Sequence, residues 1–235
     1  MLILGLTGGI ACGKSTVSSH LKAQGYPIVD ADVIAREVVE PGKPAYKKVV
    51  AAFSEMVPNL CNEDGLLNRG ELGKAVFGNP DRLRILNSIV HSAVKKEMGW
   101  QILKLYFQGH RLAVLDVPLL FEAKLNLICG ATVTVSAEYE TQIERLRQRN
   151  PELTQEDAEK RIASQLSNDE RNSRADIVIS NNGSLEDLKL EVDQMISAKR
   201  PSRFWTWLNL FPPIGITNAL ITMIVRFSTS KPKAD

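Results

Sequence analysis

Met1-Leu-Ile-Leu-Gly-Leu-Thr-Gly-Gly-Ile-Ala-Cys-Gly-Lys-Ser-Thr16 is the stretch from which the rest of the chain is read. Leu2 to Leu6 form an apolar run suited to a buried strand, and Gly8 to Ser15 match the spacing G-x-x-x-x-G-K-[ST] at every position. A helical stretch from Ser15 to Gln24 follows. Strand, glycine-rich turn and helix in that order are the context a phosphate-binding loop requires.

The spacing has a chemical reason. A polyphosphate carries several negative charges, and glycines let backbone N–H groups close around it with no Cβ in the way. Gly8, Gly9 and Gly13 give that freedom, and Gly8 to Thr16, with Ile10, Ala11 and Cys12 between the glycines, form the expected nucleotide-binding segment. Lys14 is expected to reach the β- and γ-phosphates as a catalytic cation, Ser15 to ligate Mg²⁺, and the helix to aim its positive end at the ligand.

Composition narrows the rest. A chain of 235 residues has room for one α/β domain with a lid or an appendage. The formal charge of only +2 gives no electrostatic reason to expect a nucleic-acid partner. Cys12, Cys61 and Cys129 are too few and too far apart for a disulfide framework or a zinc site, which suits a reducing compartment. With the first strand starting at Leu2, no room is left for a signal peptide ahead of the fold, and a cytoplasmic location is expected.

Tyr26-Pro-Ile-Val-Asp30 reads as a second strand running into a helix at Ala31. Ligands of an open parallel sheet collect beyond the carboxyl ends of its strands, so Asp32 is a candidate to accept or orient the proton of an acceptor alcohol. The other reading of Asp30 and Asp32 is a helix cap and its first-turn acid. From about 44 to 109 the pattern is helical, with Asn68 as an N-cap, and is expected to form an insert for the phosphate acceptor. Arg82 and His91 are candidate acceptor contacts there, or else ordinary packed or surface residues.

Arg111-Leu-Ala-Val-Leu-Asp116 returns to strand. Its terminal Asp116 is expected to anchor Mg²⁺, because the hard cation wants oxygen ligands. Phe121 and Glu122, just beyond, are expected to line the acceptor pocket or to open the next helix. After the strand Ala131–Ser136, the stretch from about 138 to 166 reads as two helices split at Pro151. Arg145 and Arg149 lie four apart on one helix face, a spacing that grips a phosphoryl group in transfer, and the pair of helices is expected to act as a lid. Ala175–Ser180 gives a last strand, Asn181 to Ser184 a turn and cap, and Leu185 to Ala198 a closing helix. Strands alternating with helices imply α/β architecture: a three-layer parallel-sheet kinase core with a helical acceptor-binding insert and a helical lid.

Taken together, Gly5–Thr16, Val29-Asp-Ala-Asp-Val-Ile-Ala-Arg36, Asp116-Val-Pro-Leu-Leu-Phe-Glu122 and Ala175-Asp-Ile-Val-Ile-Ser-Asn-Asn-Gly183 resemble the dephospho-CoA kinase family over residues 1 to about 200. The resemblance implies transfer of the γ-phosphate of ATP, with Mg²⁺, to the ribose 3′-hydroxyl of dephospho-CoA, completing coenzyme A synthesis. By it Asp32 matches the family's catalytic acid and Arg149, before the Asn150-Pro151 break, its lid arginine. The sequence departs from the family where Cys12 replaces a usual Ser and Ser92 follows His91 in place of Pro. A thiol at a helix N-terminus tends toward a lowered pKa, so Cys12 is expected to be sensitive to oxidants. Without the resemblance, another small-molecule kinase acting on a nucleoside, nucleotide or sugar-like alcohol fits the spacing, as does a nucleotide-binding protein without catalysis.

Residues 203–235 read as a separate tail. Between Phe204 and Val225 no side chain is charged, while Lys199, Arg200 and Arg203 before it and Arg226, Lys231 and Lys233 after it are basic. One helix over residues 204–225 would reach about 33 Å, enough for a ~30 Å hydrocarbon core, but Pro212-Pro213 interrupts it. Attachment to the cytosolic face of a membrane, a kinked span, and docking on the domain or on a partner are the three readings.

Overall fold

The computed structural model describes residues 1–229 and comprises two compact units, Met1–Ile28 with the chain from Leu105 onward, and Val29–Lys104. The first unit opens with β1 (Leu2–Gly8) and α1 (Lys14–Ala23). Strand β2 (Ile28–Asp30) leads into the second, which holds α2 (Ala31–Glu37), α3 (Pro44–Phe53), α4 (Arg69–Val76) and most of α5 (Pro80–Phe107). The chain then runs through β3 (Leu112–Asp116), β4 (Ala131–Ser136), α6 (Tyr139–Arg149), α7 (Gln155–Ala163), α8 (Asn168–Arg174), β5 (Ile177–Ser180) and α9 (Leu185–Lys199). Helices α10 (Arg203–Leu210) and α11 (Pro212–Thr229) complete it.

The sheet has the order β2-β3-β1-β4-β5. Strand β1 pairs in parallel with β3, Leu6 opposite Asp116, and with β4, Gly8 opposite Val135, while β4 pairs in parallel with β5, Ser136 opposite Ser180. All five residues of β3 are buried, as a strand covered on both faces demands. Val17 and Leu21 of α1 and Leu188 and Val192 of α9 join Leu4, Leu6, Val133 and Val135 in one core. The parallel register has a functional consequence: the residues that follow β1, β3, β4 and β5 emerge at one edge of the sheet.

The second unit has its own core of Val49, Phe53, Val57, Leu60, Leu67, Leu72 and Val76. Pro44 opens α3, and the Asn68 side chain accepts from the Glu71 amide at 3.1 Å, the cap expected from sequence. Tyr46 donates its hydroxyl to the Gly65 carbonyl at 2.7 Å, tying the loop before α4 to α3.

Helix α8 is absent from the sequence reading, although Ser167 caps it by accepting from the Glu170 amide at 3.2 Å. The tail also differs from expectation. Pro212 and Pro213 break the run as expected, yet they start α11, since a first-turn proline lacks only an N–H that has no helical partner. The axes of α10 and α11 meet at 105°, and no single described helix is long and apolar enough to cross a membrane. Instead the tail docks on the first unit. Arg226 donates to both carboxylate oxygens of Asp176, at 2.8 and 2.6 Å, and to the carbonyls of Cys129 and Gly130, at 3.1 and 2.9 Å. Tyr106 donates to the Asn209 carbonyl and Arg111 to that of Pro201. Of the three readings of the tail, these bonds support docking on the domain, with α11 held by charge at its far end. Lys231 and Lys233 lie outside the described residues.

Candidate active site

The loop between β1 and α1 owes its shape to two left-handed residues, Ala11 with φ 59° and Gly13 with φ 95°. Left- and right-handed residues in alternation turn successive amides toward one side, the concavity that binds anions. The loop is braced from outside. Asn181, just after β5, donates Nδ2 to the Cys12 carbonyl at 2.8 Å, and a Cβ on Gly13 would fall 2.1 Å from that same nitrogen. Glycine is therefore required at residue 13 for space as well as for conformation.

At the start of α1, Lys14 places Nζ 2.6 Å from Oδ1 of Asp116. The Leu6–Asp116 register sets this meeting, and two bonds fix the backbone around it: Val117 N–H to the Leu6 carbonyl at 3.0 Å and Thr7 Oγ1 to the Pro118 carbonyl at 2.7 Å. Asp116 is 2% exposed, whereas Ser15, the residue after Lys14, is exposed. A buried carboxylate and an open hydroxyl, both hard oxygen donors, form the partial donor set that suits Mg²⁺, which takes its remaining ligands from phosphates and water.

Over the loop stand α6, α7 and α8. Arg145 is half-buried, its Nη1 enclosed with no hydrogen-bond partner among the described residues, while Arg149 is exposed at the end of α6. A further arginine, Arg171 on α8, is only 2% exposed. Burial lowers its pKa, and the nearby Glu122 carboxylate opposes that shift. Sequence reasoning missed Arg171, together with Gln142, Gln165, Asn168 and Asn181. For Asn168 and Arg171 the signal was the Ser167-x-x-Glu170 cap of an overlooked helix. A cavity of about 630 Å³ opens beside Gly9, lined among others by Tyr139, Gln142, Asn168, Arg171 and Asn182.

Cys12 corrects an expectation. It is fully buried, and desolvation raises its pKa more than backbone hydrogen bonds with Ala137 and Gly9 and the charges of Arg171 and Arg145 lower it. Phe121 is 6% exposed and packed into the core, and Glu122 is exposed on the turn after it.

In the second unit, Asp30 Oδ1 accepts from the amides of Asp32 and Val33, at 2.8 and 3.0 Å, so it is the cap of α2. Asp32 is exposed in the first turn with its carboxylate free of that duty. Arg82 donates Nη1 to the Ala75 carbonyl at 3.2 Å, joining α5 to α4, and His91 is exposed on α5.

Comparison with known proteins fits this geometry. A family model described as dephospho-CoA kinase matches residues 2–187. A protein named dephospho-CoA kinase CAB5 from Saccharomyces cerevisiae is 49% identical over 98% of this chain and 96% of its own. A protein named dephospho-CoA kinase from Bacillus cereus is 45% identical over 83% of this chain and 96% of its own. The crystal structure of TT1252 from Thermus thermophilus superposes with a TM-score of 0.69 at 30% identity, covering 85% of this chain and 98% of that one.

Proposed function

The chain belongs to the dephospho-CoA kinase family, and from that premise we propose how its residues carry out the transfer. It is an ATP-dependent kinase that converts dephospho-CoA to coenzyme A, and the accepting group is the ribose 3′-hydroxyl. The observation that carries the reading is the Lys14–Asp116 pair at the mouth of the phosphate loop, in a chain that matches the family model from the first strand through the last.

The loop amides and Lys14 hold the β- and γ-phosphates, and Lys14 leaves Asp116 to do so. Ser15 and Asp116 would hold Mg²⁺, which would neutralise charge on those phosphates. Asp32 takes the proton of the acceptor hydroxyl as its oxygen bonds to the γ-phosphorus. The bond from that phosphorus to the β,γ-bridging oxygen breaks, and ADP leaves. Arg145 and Arg149 steady the charge on the moving group, and His91, Phe121 and Glu122 contribute to the acceptor site. ADP release with dephospho-CoA against a panel of nucleoside monophosphates and small alcohols tests the assignment. Equal turnover of another acceptor would replace it, and Asp32→Ala is expected to lower kcat by about two orders of magnitude or more with ATP binding retained.

We infer also that the tail rests on a lipid surface without crossing it. Trp205, Trp207, Phe211, Ile216, Ile224 and Phe227 are all more than half exposed, and Arg200 and Arg203 stand at the foot of α10. Flotation with vesicles containing anionic lipid is expected to carry the full chain but not a Trp205→Ser, Trp207→Ser variant. If the two behave alike, the reading fails. With its thiols free, the enzyme suits a reducing compartment such as the cytosol.

A further inference from the structure

We propose that Arg171, Asn168 and Gln142 form a polarised hydrogen-bond relay that fixes the Ile10–Ala11 peptide and thereby aims the Ala11 amide into the phosphate loop. All three are positioning residues. The proposal rests on the nucleotide-binding reading given above and adds what prepares the loop for its ligand.

The relay begins at a group with no choice of role. A guanidinium only donates, so the atom of Asn168 that meets Arg171 Nη1, at 3.1 Å, must be the carbonyl Oδ1. That leaves Asn168 Nδ2 to donate, which it does to the Ala137 carbonyl at 2.9 Å and to Gln142 Oε1 at 2.7 Å. With its oxygen accepting, Gln142 must present Nε2 at its other end, and Nε2 donates to the Ile10 carbonyl at 2.6 Å. One buried cation thus sets the direction of three successive bonds.

The last bond decides a backbone orientation. Among the described residues no peptide bond is cis, and in a trans peptide the carbonyl and the following N–H point opposite ways. Drawing the Ile10 carbonyl onto Gln142 therefore turns the Ala11 N–H away from Gln142. The preceding peptide is held as well, since Ile10 N–H donates to Gln165 Oε1 at 3.0 Å. Ala11 sits at φ 59°, a conformation a non-glycine residue keeps only when its surroundings enforce it. The relay also explains Gly9: a Cβ there would lie 2.9 Å from Gln142 Nε2, 3.0 Å from Arg171 Nη1 and 3.1 Å from Asn168 Oδ1. Gln142 is 1% exposed, so water cannot replace it as donor.

Two near-isosteric variants test this. Gln142→Glu removes the donor to Ile10, and Asn168→Asp keeps a partner for Arg171 while withdrawing the N–H that orients Gln142. In both, the Kd for ADP and the KM for ATP are expected to rise about tenfold, while the Kd for AMP and the KM for dephospho-CoA stay within about twofold and Asn168→Asp melts at the wild-type temperature. A purely structural role would move stability and all ligands together. In the ¹⁵N-labelled wild-type chain, the Ala11 amide resonance is expected to shift on addition of ADP. Equal weakening of ADP and AMP, unchanged ADP affinity in both variants, or an Ala11 resonance indifferent to ADP would overturn the proposal. Failure of the acceptor assignment would instead appear as absent coenzyme A formation by a wild-type chain that still binds ADP.

Discussion

Lys14 Nζ stands 2.6 Å from Asp116 Oδ1, with 18% of the lysine side chain and 3% of the aspartate side chain exposed. The pair joins the loop after β1 to the end of β3. It keeps a buried carboxylate compensated and the lysine extended toward the position its ligand would take. Lys14→Ala is expected to lower kcat/KM by a factor of about a hundred or more, as loss of a cation on a transferring phosphoryl group does. Its circular dichroism should match the wild type. A variant with wild-type turnover would remove Lys14 from the chemistry.

Gly13 gives a stability test confined to a few atoms. Gly13→Ala imposes a left-handed conformation on a residue with a Cβ, at a cost of roughly 1–2 kcal/mol, and drives that Cβ into Asn181, 2.1 Å away. The variant is expected to melt lower and to bind ATP more weakly. Adding Asn181→Ser removes the collision but not the backbone strain, so the double variant should recover part of the lost stability. Thermal melts across the four chains measure the coupling.

The Arg226–Asp176 clasp predicts a pH dependence. Burial alone would raise the Asp176 pKa, but hydrogen bonds from Arg226 and Thr132 and the guanidinium charge outweigh it, and the net shift is downward from 3.8. A carboxylate with a lowered folded-state pKa contributes stability above its unfolded value and loses it as the pH falls through the folded value. The difference in stability between wild type and Arg226→Ala is expected to be on the order of 1 kcal/mol at pH 7, the pair being partly exposed, and to shrink below pH 3.8. Denaturant melts at pH 7 and pH 3 check it.

Thiol chemistry should follow burial. Cys12 and Cys129 are fully buried, and desolvation pushes the Cys129 thiol up to about 12. Cys61, half-buried with Tyr46 Oη 3.4 Å from its Sγ, is the accessible one. An alkylating reagent at pH 8 is expected to label Cys61 first, without ATP protection and without loss of activity, and to reach the other two on unfolding. Peptide mapping by mass spectrometry reads the order. Early labelling of Cys12 would restore the redox-sensitive loop.

The fold was legible where local rules are strong. Strand β4 runs from Ala131 to Ser136 as read, Asn68 caps α4, and Ser184 caps α9 through a box with Asp187. Helix α8 was not, because Asn168 to Arg174 is polar at nearly every position and has no apolar stripe. It is held by hydrogen bonds to residues distant in sequence, Asn168 to Gln142 and Ala137 and Asn172 to Ser136. Cys12 was misjudged for a related reason. A helix terminus is visible in sequence, but the desolvation that overrides it belongs to the packed core.

By itself the sequence determined the order of elements and the phosphate loop, since both rest on glycine, proline and apolar spacing within a few residues of one another. Only the tertiary structure decided which side chains surround that loop and where the tail lies. Asn181 reaches Cys12, Gln142 reaches Ile10, and Arg226 reaches Asp176 across 169, 132 and 50 residues of chain. Hydrogen-bond partners so far apart leave no periodic trace in the sequence. The parallel register of the sheet, which exists only once the chain has folded, is what brings the first two to the loop.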